Sequence, residues 1–251
     1  MMGHTHALSG AAAWLLVAPG LVALPGVTAL REIPVLGGLA GDLTPIVANA
    51  LSPAELVAGA VVCAGAAMLP DLDHPHATIA QTFGPATWVL SKAVNWLSGG
   101  HRHMTHSLLF ALAAGFGAHL LADGHPIGRD VLVILMIGLA LRAVGIGIPG
   151  RTMTSAMVNI GLTAAAFILL RAAQVGYLWL GFAIAIGCLA HVIGDCLTER
   201  GCPVLWPLRH RWLLPWKIGI KTGRAFEIKI LGPLLSVVVL GLFALRLLPS
   251  L

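Results

Sequence analysis

The sequence predicts an all-α fold, a polytopic transmembrane helical bundle of about seven helices. Hydrophobic residues make up 58% of the 251 residues, charged residues make up only 10%, and the mean hydropathy is +0.91. Soluble domains usually have about a quarter of their residues charged, so this composition disfavours a water-soluble fold. No stretch is polar enough to form a separate soluble domain. We therefore expect residues 1–251 to form a single integral membrane domain.

Seven apolar runs approach the length of about 20 residues that a spanning helix needs. They cover residues 8–30, 51–69, 107–122, 131–148, 156–170, 175–195 and 228–248. Helix-breaking residues support these boundaries, since Pro70 closes the second run and Pro149-Gly150 follows the fourth. Two other segments have a different pattern. Residues 33–50 suit a surface or re-entrant stretch, and residues 85–97 suit an amphipathic interfacial helix with tryptophan anchors.

Alternation of seven spans decides which segments share one side of the membrane. The amino terminus and residues 71–106, 149–155 and 196–227 then lie on one side, here named face X. Face X carries Lys92, Arg102, Arg151, Arg200, Arg209, Arg211, Lys217, Lys221, Arg224 and Lys229, whereas the opposite face carries Arg31, Arg129, Arg171 and Arg246. Because cytoplasmic loops carry the excess of Lys and Arg, face X is predicted to be cytoplasmic in a bacterial-type inner membrane. This topology accounts for the net charge of +5, so membrane lipid and not nucleic acid is the expected partner.

Residues able to bind a metal ion fall into five groups, all on face X. They are His4 and His6; Asp71, Asp73 and His74; His101, His103 and His106; His191 and Asp195; and Glu227. The groups belong to four or five different helix ends, so one polar loop does not explain them. Ionisable residues in or beside membrane spans are costly and indicate function by default. His119 and Asp123 have a similar pattern, but alternation places them on the opposite face, and we interpret them as structural or interfacial.

The spacing within these groups suits metal ions. His191 and Asp195 are four residues apart and therefore project from one helical face. Asp71 and Asp73 come directly after an apolar run, where paired carboxylates can bridge two cations. A mixed set of His and carboxylate ligands suits zinc, in two or more ions, although manganese or iron would also accept it. Another interpretation stays open for Asp71, which could instead cap a turn.

Basic residues accompany the metal-capable groups. Arg102 lies inside the histidine motif, and Lys221 and Arg224 come just before Glu227. Their side chains could clamp a phosphate through charge-assisted hydrogen bonds. They could equally be ordinary positive residues of a cytoplasmic face, and Glu227 could simply pair with Arg224.

The metal-capable groups lie in the motifs HTHALSG, MLPDLDHP, HRHMTHSLL and HVIGDCLTERG, followed by TGRAFE. In this order the motifs resemble the pattern of the YdjM-type membrane-bound metal-dependent hydrolases, and they cover most of the chain. The resemblance implies a distant similarity to zinc-dependent phospholipase C and a multi-metal, phosphoesterase-like site. Carried over by motif, its metal ligands are His6, Asp71, Asp73, His101, His106, His191, Asp195 and Glu227. His103 departs from the family, which more often has a small residue there.

The leading hypothesis is a metal-dependent hydrolase that cleaves a phosphoester of a lipid or lipid-linked substrate at the cytoplasmic leaflet. Asp73 or Glu227 would serve as general base or bridging ligand, and Arg102 would contact the substrate. The alternative is a transporter of metal ions or protons, although its site should lie near the bilayer midplane and not at helix ends. A membrane metalloprotease is a further rival, weakened by the absence of an HExxH motif.

Overall fold

The computed structural model describes residues 1–21, 51–150, 152–208 and 219–248. Within these residues it contains eight α-helices and no β-strand, which confirms the all-α prediction. The helices are α1 (Gly3–Leu21), α2 (Pro53–Ala66), α3 (Pro85–Ser98), α4 (Leu108–Gly124), α5 (Pro126–Ala143), α6 (Met153–Ala172), α7 (Leu180–Cys196) and α8 (Gly232–Leu247). Short 3-10 helices cover Pro70–Asp73, Thr78–Gln81 and Met104–His106, and a π-helical turn, Glu227–Leu231, leads into α8.

Each of the seven predicted runs contains a helix in its described part, while α3 corresponds to the predicted amphipathic segment. In the described part of the chain, three helical stretches are long and apolar enough to cross a membrane: Pro53–Asp73, Met153–Ala172 and Glu227–Leu247. Leu108–Ala122 and Leu180–Cys196 are apolar but shorter. The helical membrane bundle is therefore confirmed, whereas the number of seven spans stays a prediction. The predicted surface or re-entrant stretch, residues 33–50, lies outside the described residues.

Some helix boundaries differ from those predicted. Helix α1 begins at Gly3 and not at Leu8, so His6 lies on the helix itself. The apolar pattern could not reveal this, because the first turns of α1 carry polar residues that contact other elements. Helix α5 begins at Pro126, a residue that suits the first turn of a helix because its missing N–H needs no partner there. It ends before Gly145, whose φ of +87° favours glycine.

Helix α2 is the central helix of the bundle and packs against α1, α5 and α7. Of its most apolar window, 72% is buried, compared with 11% for the window in α8. Close packing needs small residues: a β-carbon on Gly187 of α7 would clash with the carbonyl oxygen of Cys63 in α2. Gly65 of α2 lies equally close to the backbone of Met136 in α5. The backbone of α2 therefore lies in direct contact with two of its neighbours.

Two contacts join α2 and α7 near their opposite ends. At the start of α2, Ser52 and Glu55 form a capping box, in which each side chain accepts a hydrogen bond from the other residue's backbone N–H. Glu55 also accepts a hydrogen bond of 3.1 Å from the N–H of Gly176, just before α7. Past the other end of α2, the carbonyl oxygen of Ala67 lies 2.7 Å from Nδ1 of His191. A hydrogen bond thus joins the two helices near each end.

Helices α4 and α7 run antiparallel. Gly181, in the first turn of α7, packs against His119 near the end of α4. At the other end of the pair, the ring centroid of His106, just before α4, lies 4.9 Å from that of His191. This arrangement brings the start of α4 and the end of α7 to the same end of the bundle, together with Asp71 and Asp73.

Candidate metal centre

Asp73 is fully buried at the end of the 3-10 helix that follows α2. Its Oδ1 lies 2.6 Å from Nδ1 of His101. Its Oδ2 accepts hydrogen bonds from the Thr105 hydroxyl at 2.6 Å and from the Arg102 N–H at 3.0 Å. Both carboxylate oxygens are therefore engaged, and Asp73 fixes the position of the loop that carries His101.

Asp71 lies two residues earlier and is partly exposed, with 21% of its side chain accessible. Its Oδ1 lies 3.6 Å from Nε2 of His106 and 3.8 Å from Nε2 of His191. These distances are too long for direct hydrogen bonds, but they suit three ligands arranged around one cation. Asp71, which follows α2, therefore lies close to possible metal ligands just before α4 and near the end of α7.

His191 and Asp195 project from one face of α7, as their spacing predicts. Because the carbonyl oxygen of Ala67 can only accept, Nδ1 of His191 donates to it, and Nε2 is left with a free lone pair. That Nε2 lies 3.8 Å from Oδ2 of Asp195. A backbone carbonyl that fixes the ring in this way is a frequent feature of histidine metal ligands.

His106 is fully buried between the carboxylate groups of Asp73 and Asp195. Its Nδ1 lies 3.3 Å from Oδ2 of Asp73, and its Nε2 lies 3.6 Å from Oδ2 of Asp195. Burial lowers the pKa of His106, but the nearby carboxylates of Asp71 and Asp73 outweigh this effect and raise the pKa to about 9. The surrounding carboxylates thus create a field that favours a positive charge at this position.

His6 extends the cluster to α1. Its ring stacks on that of His191, with centroids 3.9 Å apart, and its Nε2 lies 3.3 Å from Oδ1 of Asp195. The amino-terminal helix, which contributes Trp14 and Leu15 to the core, therefore also contributes to the polar end of the bundle.

Three overlapping sets of side chains have ligand atoms that all lie within 4.8 Å of one another. The sets are Asp71, Asp73, His101 and His106; His6, Asp71 and His191; and His106, His191 and Asp195. Asp71, His106 and His191 each belong to two sets, an arrangement that suits adjacent ions with shared ligands. Seven of the eight sequence-predicted ligands come together in this way. The buried His/Asp cluster could hold a metal ion, and its donors do not specify which one.

Two buried nitrogen atoms support the fit to a metal. Nε2 of His106 and Nε2 of His191 have no hydrogen-bond partner among the described residues. Buried polar atoms usually have a partner, so such atoms need an explanation. Both nitrogens point to the space between Asp71 and Asp195, where a cation would bind them.

The structure does not place Glu227 in any of the three sets. Its Oε1 accepts a hydrogen bond of 2.6 Å from the N–H of Met2, and its Oε2 accepts one of 2.8 Å from the N–H of Gly223. These contacts join the start of α8 to the start of α1. Glu227 therefore links the start of α8 to the start of α1 beside the cluster, and the metal-ligand and catalytic roles predicted for it stay predictions.

Arg102 connects the cluster to a cavity. Its backbone has a φ of +60°, an uncommon value for a residue other than glycine, and such residues occur often at functional sites. Its Nη2 lies 2.9 Å from Oδ2 of Asp195, and its Nη1 donates to the carbonyl oxygen of Gly201 at 3.2 Å. The guanidinium group is thus close to both the candidate ligands and the surface.

The cavity beside Arg102, here named the polar cavity, has a volume of about 630 Å³. Asp71 and His101 of the cluster line it, so the cluster is open to small molecules from this side. Its charged and polar lining further includes His74, Arg102, Thr198, Glu199, Arg200, Lys221, Thr222 and Arg224. The whole lining thus has four basic side chains and two acidic ones, Asp71 and Glu199, and this excess of positive charge favours an anionic ligand.

Two contributing residues were missed by the sequence reasoning. Thr105 donates to Asp73, and Asn95 of α3 donates from Nδ2 to the backbone carbonyl of Asp73 at 2.5 Å. The position of Thr105 inside the histidine motif was an available signal. Asn95 lies on a helix interpreted only as an interfacial anchor, so no local pattern indicated its contact. His119 belongs to none of the three sets, and its position beside Gly181 puts it at the far end of α7 from His191.

Comparison with known proteins agrees with the arrangement of these motifs. The family model described as "YdjM inner membrane protein" matches residues 1–248. The chain belongs to the YdjM family. It is 26% identical over 176 residues to the inner membrane protein YdjM of Escherichia coli (strain K12), and equally to the YdjM protein of Shigella flexneri. Each match covers 69% of this chain and 60% of the relative. No solved structure matches the chain.

Membership of the YdjM family confirms the resemblance seen in the motifs and the assignment to an inner membrane protein family. The names of the YdjM relatives indicate no reaction. The predicted similarity to zinc-dependent phospholipase C therefore stays a prediction.

Proposed function

We propose that this protein is a membrane-embedded metal-dependent hydrolase that cleaves a phosphoester of a lipid or lipid-linked substrate at the cytoplasmic leaflet. The observation that carries the proposal is that Asp71 and His101, which belong to two of the three overlapping ligand sets, line a cavity with four basic side chains. A transport site would be expected near the middle of the bilayer on broken helices, whereas these ligands lie at helix ends. The metal we propose is zinc, in two or more ions, since histidine and carboxylate donors accept zinc, and manganese or iron would suit the same donors.

The bound metal would act as a Lewis acid and lower the pKa of water for attack on phosphorus. His6, Asp71, Asp73, His101, His106, His191 and Asp195 would hold it. Arg102 would bind a phosphate oxygen from the edge of the polar cavity, aided by Arg200. Asp71 is better placed than Asp73 to accept a proton from water, because Asp71 lines the cavity and both oxygens of Asp73 are already hydrogen-bonded.

The purified protein should retain one or more transition-metal ions, because the candidate ligands come from α1, α7 and the segments that follow α2 and precede α4, and most of them are buried. Metal content is measured by mass spectrometry after mild chelation, and the metal-loaded protein is screened against phospholipids and soluble phosphoesters. Folded protein with less than one equivalent of zinc, manganese or iron would contradict the metal centre. Metal-loaded protein without hydrolysis of any phosphoester would contradict the reaction alone.

The proposed cytoplasmic orientation predicts the result of a topology experiment. A reporter fused after Leu251 should be external, because an odd number of spans separates it from the amino terminus. A reporter inserted at Arg209 should be cytosolic, since residues 196–227 carry much of the positive charge. Both reporters on the same side would mean an even number of spans between the two positions and would overturn this topology.

A further inference from the structure

An apolar groove lies next to the polar cavity and has a volume of about 490 Å³. Its apolar lining includes Leu197, Ile220, Ala225 and Phe226. Ile220, Lys221 and Arg224 line both the groove and the polar cavity, so the two spaces meet along this rim. One ligand can therefore extend from the first space into the second.

The groove lies where the chain enters its last apolar stretch. Phe226 directly precedes the stretch Glu227–Leu247, which is long and apolar enough to span the membrane and is only 11% buried within the protein. Leu197 and Phe226 are 39% and 52% exposed. Large apolar side chains so exposed are costly in water, but they suit the region where a membrane protein contacts hydrocarbon. The apolar side chains of the groove thus suit contact with the acyl region, while Lys221 and Arg224 lie on the rim that the groove shares with the polar cavity.

We propose that this groove binds the hydrocarbon chain of an anionic amphiphile whose phosphate group lies in the polar cavity. The inference rests on the proposed phosphoesterase site and specifies its substrate. Lys221 and Arg224 belong to the rim shared by both spaces, so the phosphate they bind must be within a few atoms of the chain. The substrate class is accordingly a lipid in which the phosphate is attached close to the apolar chain.

Chain binding is tested with two soluble probes, methyl phosphate and octyl phosphate, titrated calorimetrically into the full-length protein in lipid nanodiscs. Empty nanodiscs give the background from partition into lipid. Octyl phosphate should bind more tightly, by about fourfold for each methylene that enters the groove. Phe226→Ala should weaken octyl phosphate binding about tenfold and leave methyl phosphate binding unchanged. Lys221→Ala combined with Arg224→Ala should weaken the binding of both probes.

Phe116→Ala is the matched control, because Phe116 on α4 is 51% exposed, and it lines a different cavity beside His119. Equal loss of octyl phosphate binding in Phe116→Ala and Phe226→Ala, or equal affinity of the wild type for both probes, would overturn the proposal. Hydrolysis of p-nitrophenyl phosphate by the same metal-loaded preparations separates the two proposals. Absent hydrolysis with chain-dependent binding contradicts only the enzyme, whereas hydrolysis without chain-dependent binding contradicts only the groove.

Discussion

Replacing His191 with alanine should remove bound metal and lower phosphoester hydrolysis by at least about 100-fold. The large effect is expected because His191 belongs to two of the three ligand sets and its Nε2 lies between Asp71 and Asp195. Asp73→Ala should have a similar effect, since its loss frees His101 and Thr105 together. Metal content by mass spectrometry and the rate of hydrolysis are measured on the same preparations.

His119→Ala provides the control for this experiment. His119 is also a histidine in an apolar helix, but it packs against Gly181 at the opposite end of α7 from His191. Metal content and hydrolysis should therefore stay within about twofold of the wild type. Metal loss in His119→Ala with retention in His191→Ala would show that the metal binds elsewhere.

Gly187→Ala should damage the metal centre although Gly187 carries no ligand. Its new methyl group would meet the Cys63 carbonyl and lie 2.6 Å from the β-carbon of Ala66, so α2 and α7 must separate. Such overpacking typically costs about 1–3 kcal/mol of folding free energy. Since Asp71 follows α2 and His191 lies on α7, their separation should weaken metal binding about tenfold or more. Thermal unfolding and metal titration measure the two effects.

Gly117→Ala is the matched substitution for Gly187→Ala. Gly117 also lies within an apolar helix, α4, but a β-carbon there would have no neighbour within 4 Å. Its replacement should leave metal affinity unchanged and stability unchanged or slightly higher, because alanine favours helix more than glycine. A Gly187→Ala protein as stable and metal-loaded as Gly117→Ala would contradict the close packing of α2 against α7.

The sequence was sufficient to predict the helices and most of the cluster because both depend on simple patterns. Apolar runs identify membrane helices, and alternation of spans predicts that His106, His191 and Asp71 share one end of the bundle. This reasoning could not place the side chain of Glu227. The same alternation that puts Glu227 on face X does not distinguish a ligand from a residue that caps backbone N–H groups, as Glu227 does with Met2 and Gly223.

Sequence patterns also could not predict contacts between residues that are far apart in the chain. Asn95 and Asp73 are 22 residues apart and lie on different elements, so their hydrogen bond depends on how α3 packs beside the cluster. The proposal of Asp71 and not Asp73 as the base has a similar origin. Both are aspartates after one helix, and only packing shows that Asp71 lines the cavity while Asp73 is fully buried.

The hydrogen bonds that join α2 and α7 near both ends restrict how the proposed substrate can enter and leave the site. Gly176 donates a hydrogen bond to Glu55 near one end of the pair, and His191 donates one to Ala67 near the other end. Separation of α2 from α7 on this side of the site would break both bonds. Helix α8 is little buried, and among the helices its main packing partner is α1. Entry and exit of the proposed substrate are therefore expected on the other side, along residues 219–231 and α8, where the protein exposes apolar side chains to the surrounding lipid.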